Sequence, residues 1–350
     1  MFAKKSLLAL AIGAGFALPA AAQSKIGDWE FYGRAHFSLD QLDDGAKYSE
    51  FNASSNSSRF GFRGSKSFGS VTGLWQIEQE VFFNLNDTEA NKNRIATRDT
   101  FAGLRGTWGQ FRFGKFDTPF KAAREPANLF GDMAGDMRNL TSVGNARFDE
   151  RLNNMIEYQT PNFNGFQAKI AYALHEGSQA AVDASTGAGK DEQALSLALH
   201  YKAGIVDAAA AWEDYGKDAA RGERDAVRLA VGITPVKNLK LVAFYQDANH
   251  ATDGGKVTGF GAEYALTQKT YLRGHVFTRS ADKANADATL YAIGVEHRID
   301  RQLRVYANYG QVSNDPASNL NPWTQGRSTA QPGTNGENAT AVSFGVRYDF

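Results

Sequence analysis

The sequence lacks cysteine, a net charge and any long apolar run after its first residues. None of the 350 residues is cysteine, so the chain has no disulfide framework, thiolate metal site or cysteine nucleophile. Basic and acidic residues number 38 each, and this balance argues against nucleic acid as a partner, because proteins that follow phosphates carry a basic surplus. No stretch approaches the roughly 20 apolar residues of a membrane helix. These absences disfavour disulfide-stapled, nucleic-acid-binding and helical membrane proteins.

The N-terminus has the three parts of a secretory signal peptide. A basic pair, Lys4-Lys5, precedes the apolar stretch Leu7–Leu18, and the small residues Ala20–Ala22 follow. Such a stretch suits a signal-peptide core and the alanines suit a signal peptidase. We expect residues 1–22 to be removed and residues 23–350 to form one domain outside the cytoplasm. A retained anchor is the alternative, but the apolar stretch is short for one.

The rest of the chain alternates apolar and polar residues over segments of strand length. In the last of these, Phe344, Val346 and Tyr348 share one face, and Arg347 and Asp349 share the other. Inside a bilayer a sheet is stable only as a closed barrel, because every backbone polar group must be paired internally. Short and long polar connections alternate and divide the chain into sixteen strands. The predicted fold class is therefore all-β, a transmembrane antiparallel β-barrel of 16 strands.

One polar connection, residues 117–150, is far longer than a turn, and long segments without a strand pattern are often functional. We predict that it folds into the lumen and presents acidic side chains to a basic wall, since rings of charge at a constriction select among solutes. The alternative is that the loop lies outside and the arginines are solvated lumen residues. The candidate constriction residues are Arg34, Arg59, Arg98 and Arg151 on the wall, and Glu125, Asp132 and Asp136 on the loop.

No pattern of residues indicates catalysis, a cofactor or a metal. The six histidines, including His36, His175 and His275, are scattered, and no G-x-S-x-G elbow is present. The glycine-rich stretch that ends at Gly189-Lys190 lacks the pattern of a phosphate loop. We therefore expect no enzyme activity. An outer-membrane phospholipase or protease, and a secreted β-sandwich or lectin, are the alternative interpretations.

Several short motifs follow one another along the chain: Tyr32-Gly33-Arg34, Ser58 through Gly64, Arg98 through Gly106, Phe113 through Phe120, Arg151 with Glu157-Tyr158, and Tyr348 with the terminal Phe350. In this order they resemble the motifs of general porins of the Gram-negative outer membrane, of the beta-proteobacterial type. Tyr348 and Phe350 resemble the family's outer-membrane assembly signal.

The resemblance implies a homotrimer of sixteen-stranded barrels in which the third loop forms the constriction of each pore. It maps family arginines onto Arg34, Arg59, Arg98 and Arg151, and acidic loop residues onto Glu125, Asp132 and Asp136, although the family's loop signature is absent. It also implies contact with outer-membrane lipids, lipopolysaccharide and the assembly machinery, and diffusion of small polar solutes and ions. Anion or cation preference stays open, because inward positions carry both signs, and so does a substrate-specific pore.

Overall fold

A computed structural model describes residues 25–26, 28–82, 98–174, 193–217 and 221–350. The predicted signal peptide, His175 and the Gly189-Lys190 stretch lie outside the described residues. In the described ranges no helix combines the length and the apolar character that crossing a bilayer requires.

The described strands form one antiparallel sheet. Their bounds are β1 (Lys25–Ile26), β2 (Trp29–Asp43), β3 (Ser49–Ser55), β4 (Arg59–Phe68), β5 (Val71–Glu80), β6 (Thr100–Gly106), β7 (Gly109–Asp117), β8 (Arg151–Gln159), β9 (Phe166–Ala173), β10 (Gln193–Ala203), β11 (Val206–Lys217), β12 (Arg224–Val236), β13 (Leu239–His250), β14 (Gly255–Ala265), β15 (Thr270–Ala281), β16 (Ala288–Arg298), β17 (Leu303–Asn314) and β18 (Ala339–Asp349).

Seventeen of these strands, β2 to β18, make up sixteen wall strands that close into a barrel. Strands β3 and β4 pair with successive halves of β2 and form one wall strand interrupted at residues 56–58. Strand β1 is a two-residue extension that pairs with the start of β2. The predicted 16-stranded antiparallel barrel is confirmed.

The ring closes between the first and last wall strands. Strand β18 pairs with β2 from Thr340 opposite Asp43 to Asp349 opposite Arg34. Beyond that ladder, Gly33 and Phe350 exchange two backbone hydrogen bonds of 2.9 and 3.0 Å. Each described wall strand is thus paired on both sides, as a bilayer requires.

The two faces of the strands differ as the alternation predicts. Leu39 and Phe344 point outward and are 59% and 60% exposed. Their neighbours Asp40 and Ser343 point inward and are fully buried. The outer face suits lipid, whereas the inner face places polar side chains where other parts of the chain or water satisfy them.

Three short helices lie in the long connection between β7 and β8. They are α1 (Pro119–Ala122), a 3₁₀ turn (Glu125–Ala127) and α2 (Arg138–Thr141). Thr118 begins α1, and its hydroxyl accepts a 3.1 Å hydrogen bond from the Lys121 amide. Proline follows at the first helical position, where its missing N–H costs nothing.

We expect barrel closure to be sensitive to Gly33. A Cβ added there would lie 2.7 Å from the backbone oxygen of Arg59 and would also collide with the Phe350 ring. Gly33→Ala should therefore destabilise the barrel by about 1–3 kcal/mol through overpacking. Equilibrium urea unfolding in lipid vesicles measures this free energy.

Gly73→Ala is the matched control. Gly73 also lies in a wall strand, but its Cβ would approach no atom more closely than the Phe68 ring, at 3.4 Å, and would meet the Lys66 backbone oxygen at 3.9 Å. Equal destabilisation by the two substitutions would contradict the closure geometry.

Candidate functional site: a cationic cavity inside the barrel

Residues 118–150, here called the inner segment, connect β7 to β8 and pack against inward-facing side chains. Its two ends are held by Arg228 of β12, which is fully buried. The Arg228 guanidinium donates to the Phe120 carbonyl at 3.0 Å and to both carboxylate oxygens of Asp149 at 2.7 and 2.9 Å. A bidentate arginine–carboxylate pair of this kind fixes orientation as well as distance.

The middle of the inner segment is held by two side chains of β15. Arg273 donates to the Leu129 carbonyl at 2.7 Å. His275 Nε2 lies 2.9 Å from the Gly135 carbonyl oxygen. Because Arg273 and His275 alternate with outward-facing residues, the segment contacts the inner face of the wall and not the lipid face.

A cavity of about 480 Å³ lies between this segment and the wall. Eleven cationic side chains and five carboxylates line it. The predicted Arg34, Arg59 and Arg98 are among the cations, and Glu125 and Asp132 are among the acids. The predicted Arg151 and Asp136 do not line this cavity.

Asp132 lies close to the wall arginine Arg34. Its carboxylate lies 3.5 Å from Arg34 and accepts a 2.7 Å hydrogen bond from Arg138. Its backbone is left-handed, with φ of 61°, a conformation that aspartate tolerates better than most residues. Burial alone would raise the pKa of Asp132, but Arg138, Arg59 and Arg34 more than offset it and hold the pKa well below its ordinary value.

Asp136 instead neutralises an arginine within its own segment. It is fully buried and lies 2.5 Å from the Arg138 guanidinium. Despite the burial of Arg138, Asp136 and then Asp132 raise its pKa well above the ordinary value. The Arg138 guanidinium therefore neutralises the charge of Asp136, which does not line the cavity.

Two of the wall arginines share a carboxylate that the sequence did not assign to the site. Glu78 of β5 lies 3.4 Å from Arg59 and 2.6 Å from Arg98. Arg98 lies just before β6, which begins at Thr100, and not within a strand as the sequence suggested. Its amide still donates to the Glu78 carbonyl at 3.1 Å, which keeps the guanidinium at the wall.

Arg151 lies at the start of β8, as predicted, but its guanidinium is engaged elsewhere. It contacts Asp99 at 2.5 Å and Asp117 at 2.7 Å. These two carboxylates offset its charge beside the root of the inner segment. Arg151 thus links Asp117, the last residue of β7, to Asp99.

Asp349 and Glu296 each contact three arginines that line the cavity. The contacts to Asp349 are at 2.8, 2.9 and 3.3 Å, from Arg34, Arg347 and Arg304. The contacts to Glu296 are at 2.5, 2.7 and 3.9 Å, from Arg273, Arg298 and Arg304. Five guanidinium groups thus share two carboxylates, and all five line the cavity.

The sequence placed some of these arginines on the inner face but did not reveal the clusters. Alternation marks Arg273 and Arg304 as inward-facing, whereas their common contact with Glu296 depends on the register of three adjacent strands. Arg138 gave no signal, because it lies in an irregular segment without a period. Among the described residues, no group of three or more His, Asp or Glu side chains is placed to hold a metal ion.

Comparison with known proteins agrees with this architecture. The profile of the Gram-negative porin family matches residues 7–317. Outer membrane porin protein 32 of Delftia acidovorans is 26% identical over 369 aligned residues, which cover 99% of this chain and all of that one.

Solved structures show the same fold. An anion-selective porin from Comamonas acidovorans superimposes with a TM-score of 0.78 at 20% identity, over 92% of this chain and 99% of that one. The trimer form of OmpT from Vibrio cholerae gives a TM-score of 0.66 at 17% identity, over 92% and 99% of the two chains. The resemblance seen in the sequence motifs is confirmed: the chain belongs to the Gram-negative porin family and is a protein of the outer membrane.

Proposed function

We propose that this porin favours anions and that the inner segment forms the constriction of its pore. A porin is a water-filled channel for passive diffusion of small hydrophilic solutes and ions. The observation that carries the anion preference is the lining of the cavity, where eleven cations face five carboxylates. Narrow passages with low-dielectric walls focus such an imbalance onto the permeating ion.

The positions of the carboxylates strengthen the cationic character of the surface. The Glu296 side chain is 2% exposed and that of Glu78 is 7% exposed. Both lie behind the guanidinium groups that they neutralise in part. An ion in the cavity therefore meets the arginines first. The anion selectivity stated for the Comamonas porin agrees with this proposal.

The contacts of the inner segment support its role as the constriction. Arg228, Arg273 and His275 hold it against the inner face of the wall. Asp132 then forms an ion pair with Arg34 of the wall, at 3.5 Å. Charges of both signs at the rim of a narrow opening orient dipolar solutes without binding them tightly, and weak binding lets a solute leave.

Assembly and processing complete the proposal. Residues 1–22 are the cleaved signal peptide, and three copies of the mature chain associate, as in the trimer form of OmpT. Outer-membrane lipids and lipopolysaccharide cover the outward apolar residues. Tyr348 and Phe350, whose rings lie 5.6 Å apart at the end of the wall, are recognised by the assembly machinery.

We propose no enzymatic activity and no cofactor. The partners of the inward His36 and His275, a tyrosine hydroxyl and a backbone carbonyl, support structural roles.

Purified protein should form channels in planar bilayers, with a reversal potential of the sign for chloride preference in a potassium chloride gradient. Arg304→Gln should lower the anion-to-cation permeability ratio by about twofold, because it removes one charge from a focused field. Glu296 and Asp349 each keep two arginines in this variant, so the fold is retained.

Arg63→Gln is the control, since Arg63 pairs with Glu30 away from the cavity. A folded barrel that never conducts would contradict the channel function itself. Channels that prefer potassium would leave the pore standing but refute the anion preference.

The difference in selectivity between wild type and Asp132→Asn should be the same at pH 4 as at pH 7. The depressed pKa keeps Asp132 ionised across this range. An aspartate with the reference pKa of about 3.9 would be close to half protonated at pH 4. Reversal potentials of both proteins at the two pH values provide the measurement. A difference that shrinks by half at pH 4 would show that the arginines do not hold the charge of Asp132. Asparagine suits the left-handed backbone at this position.

A further inference from the structure

The connection between β17 and β18, residues 315–338, enters the barrel instead of lying wholly outside it. Trp323 is fully buried and clusters with Leu42, Ala339 and Ala341 on the inner face of the wall. Ala134 of the inner segment belongs to the same cluster. A tryptophan in a solvated external loop would bury no such surface, so this connection packs in the lumen.

This connection is hydrogen-bonded to the middle of the inner segment. The Gly135 amide donates to the Pro322 carbonyl at 2.7 Å. The Gln325 amide donates to the side-chain oxygen of Asn139 at 3.0 Å. The two segments therefore form one packed unit inside the barrel.

Gly326 lies directly behind Asp132. A Cβ on Gly326 would collide with the Asp132 carboxylate and with the Arg138 guanidinium, and its backbone has φ of 72°. Only glycine suits such a conformation at such a close approach. Ser57, which joins β3 to β4, donates to the Gly326 carbonyl at 3.0 Å. Gly326 thus fills the space into which Asp132 would otherwise move.

An ion pair to the wall anchors this contact. The side chains of Arg327 and Asp40 of β2 form a salt bridge in which both are fully buried. The next residue, Ser328, donates its amide to the Ser55 carbonyl at 2.9 Å and accepts a 3.0 Å hydrogen bond from the Ser55 amide on its hydroxyl. Loss of one member of a buried ion pair leaves an uncompensated charge, so the anchor holds only while both members are present.

We propose that residues 322–328 are a second constriction element that fixes the position of Asp132 and narrows the pore. Arg327 and Asp40 are positioning residues in this arrangement, and Gly326 transmits their effect to the carboxylate. The inference rests on the proposed constriction by the inner segment. It adds that the charge of the pore depends on a segment nearly two hundred residues further along the chain.

The first test couples Arg327 to Asp132. Arg327→Ala should raise the single-channel conductance and reduce by at least about half the shift in reversal potential that Asp132→Asn produces, because contacting residues couple whereas distant ones add. Arg327→Lys retains the charge and should behave like wild type in both measurements. A merely structural role would lower the unfolding free energy but leave the effect of Asp132→Asn unchanged.

The second test uses the absence of native cysteine. The hydroxyl oxygens of Ser54 and Ser328 lie 3.3 Å apart, so the two side chains approach each other, as a disulfide between these positions requires. The double variant Ser54→Cys with Ser328→Cys should cross-link on oxidation, and its oxidised form provides the reference conductance. In the Arg327→Ala background, oxidation should return the conductance to that reference and restore the full effect of Asp132→Asn.

Failure to cross-link, or an Arg327→Ala channel that keeps the wild-type conductance and coupling, would overturn the inference while leaving the pore intact. Absence of channels from the wild-type protein would instead count against the proposed function. If Arg327→Ala alone does not fold, the cross-linked triple variant decides whether docking of this segment restores the pore.

Discussion

The structure depends on one constraint: each backbone donor and acceptor of a strand in the bilayer must be paired within the protein. The pairing of β18 with β2, extended by the exchange between Gly33 and Phe350, satisfies it at the position where the ring would otherwise be open. Closure separates the two faces of the strands. Because the ring is closed, the inward-facing side chains of each strand can carry charge without contacting lipid.

The enclosed face carries more guanidinium groups than carboxylates in its central cavity, and the arrangement explains how they coexist. Asp349 and Glu296 each contact three arginines, and Glu78 contacts two. A carboxylate behind several arginines reduces their mutual repulsion and orients them, and the surplus positive charge faces the cavity. In the proposed function, the arginines that take part in these interior ion pairs also give the pore its preference for anions.

In the proposed constriction, the inner segment and residues 322–328 together narrow the lumen of the barrel. The inner segment is held at its ends by Arg228 and in its middle by Arg273 and His275. Residues 322–328 then close the space behind Asp132 through Gly326. The aperture is therefore a property of two connections that are distant in sequence and share one packed unit.

Strand alternation was sufficient to predict the barrel and to place Arg34 and Arg59 on its inner face, because a period of two determines which side chains face inward. Asp132 was instead a candidate because it is an acidic residue of the long connection. The remaining site was beyond reach for physical reasons. The capture of Asp136 by Arg138 depends on a turn inside an irregular segment. The clusters on Glu296 and Asp349 depend on strand register. The polar composition of residues 315–338 resembles an external loop, and only the burial of Trp323 reveals that it packs inside.

Pore and selectivity both require a wall with one lipid face and one enclosed face, and a single-cysteine scan along β18 tests this most directly. The chain offers no competing thiol. A fluorophore attached in turn at positions 343, 344, 346 and 347 should be quenched by lipids with nitroxide-labelled acyl chains at Phe344 and Val346, but not at Ser343 or Arg347. Equal quenching at neighbouring positions would contradict a closed barrel with a lipid face and an enclosed charged face.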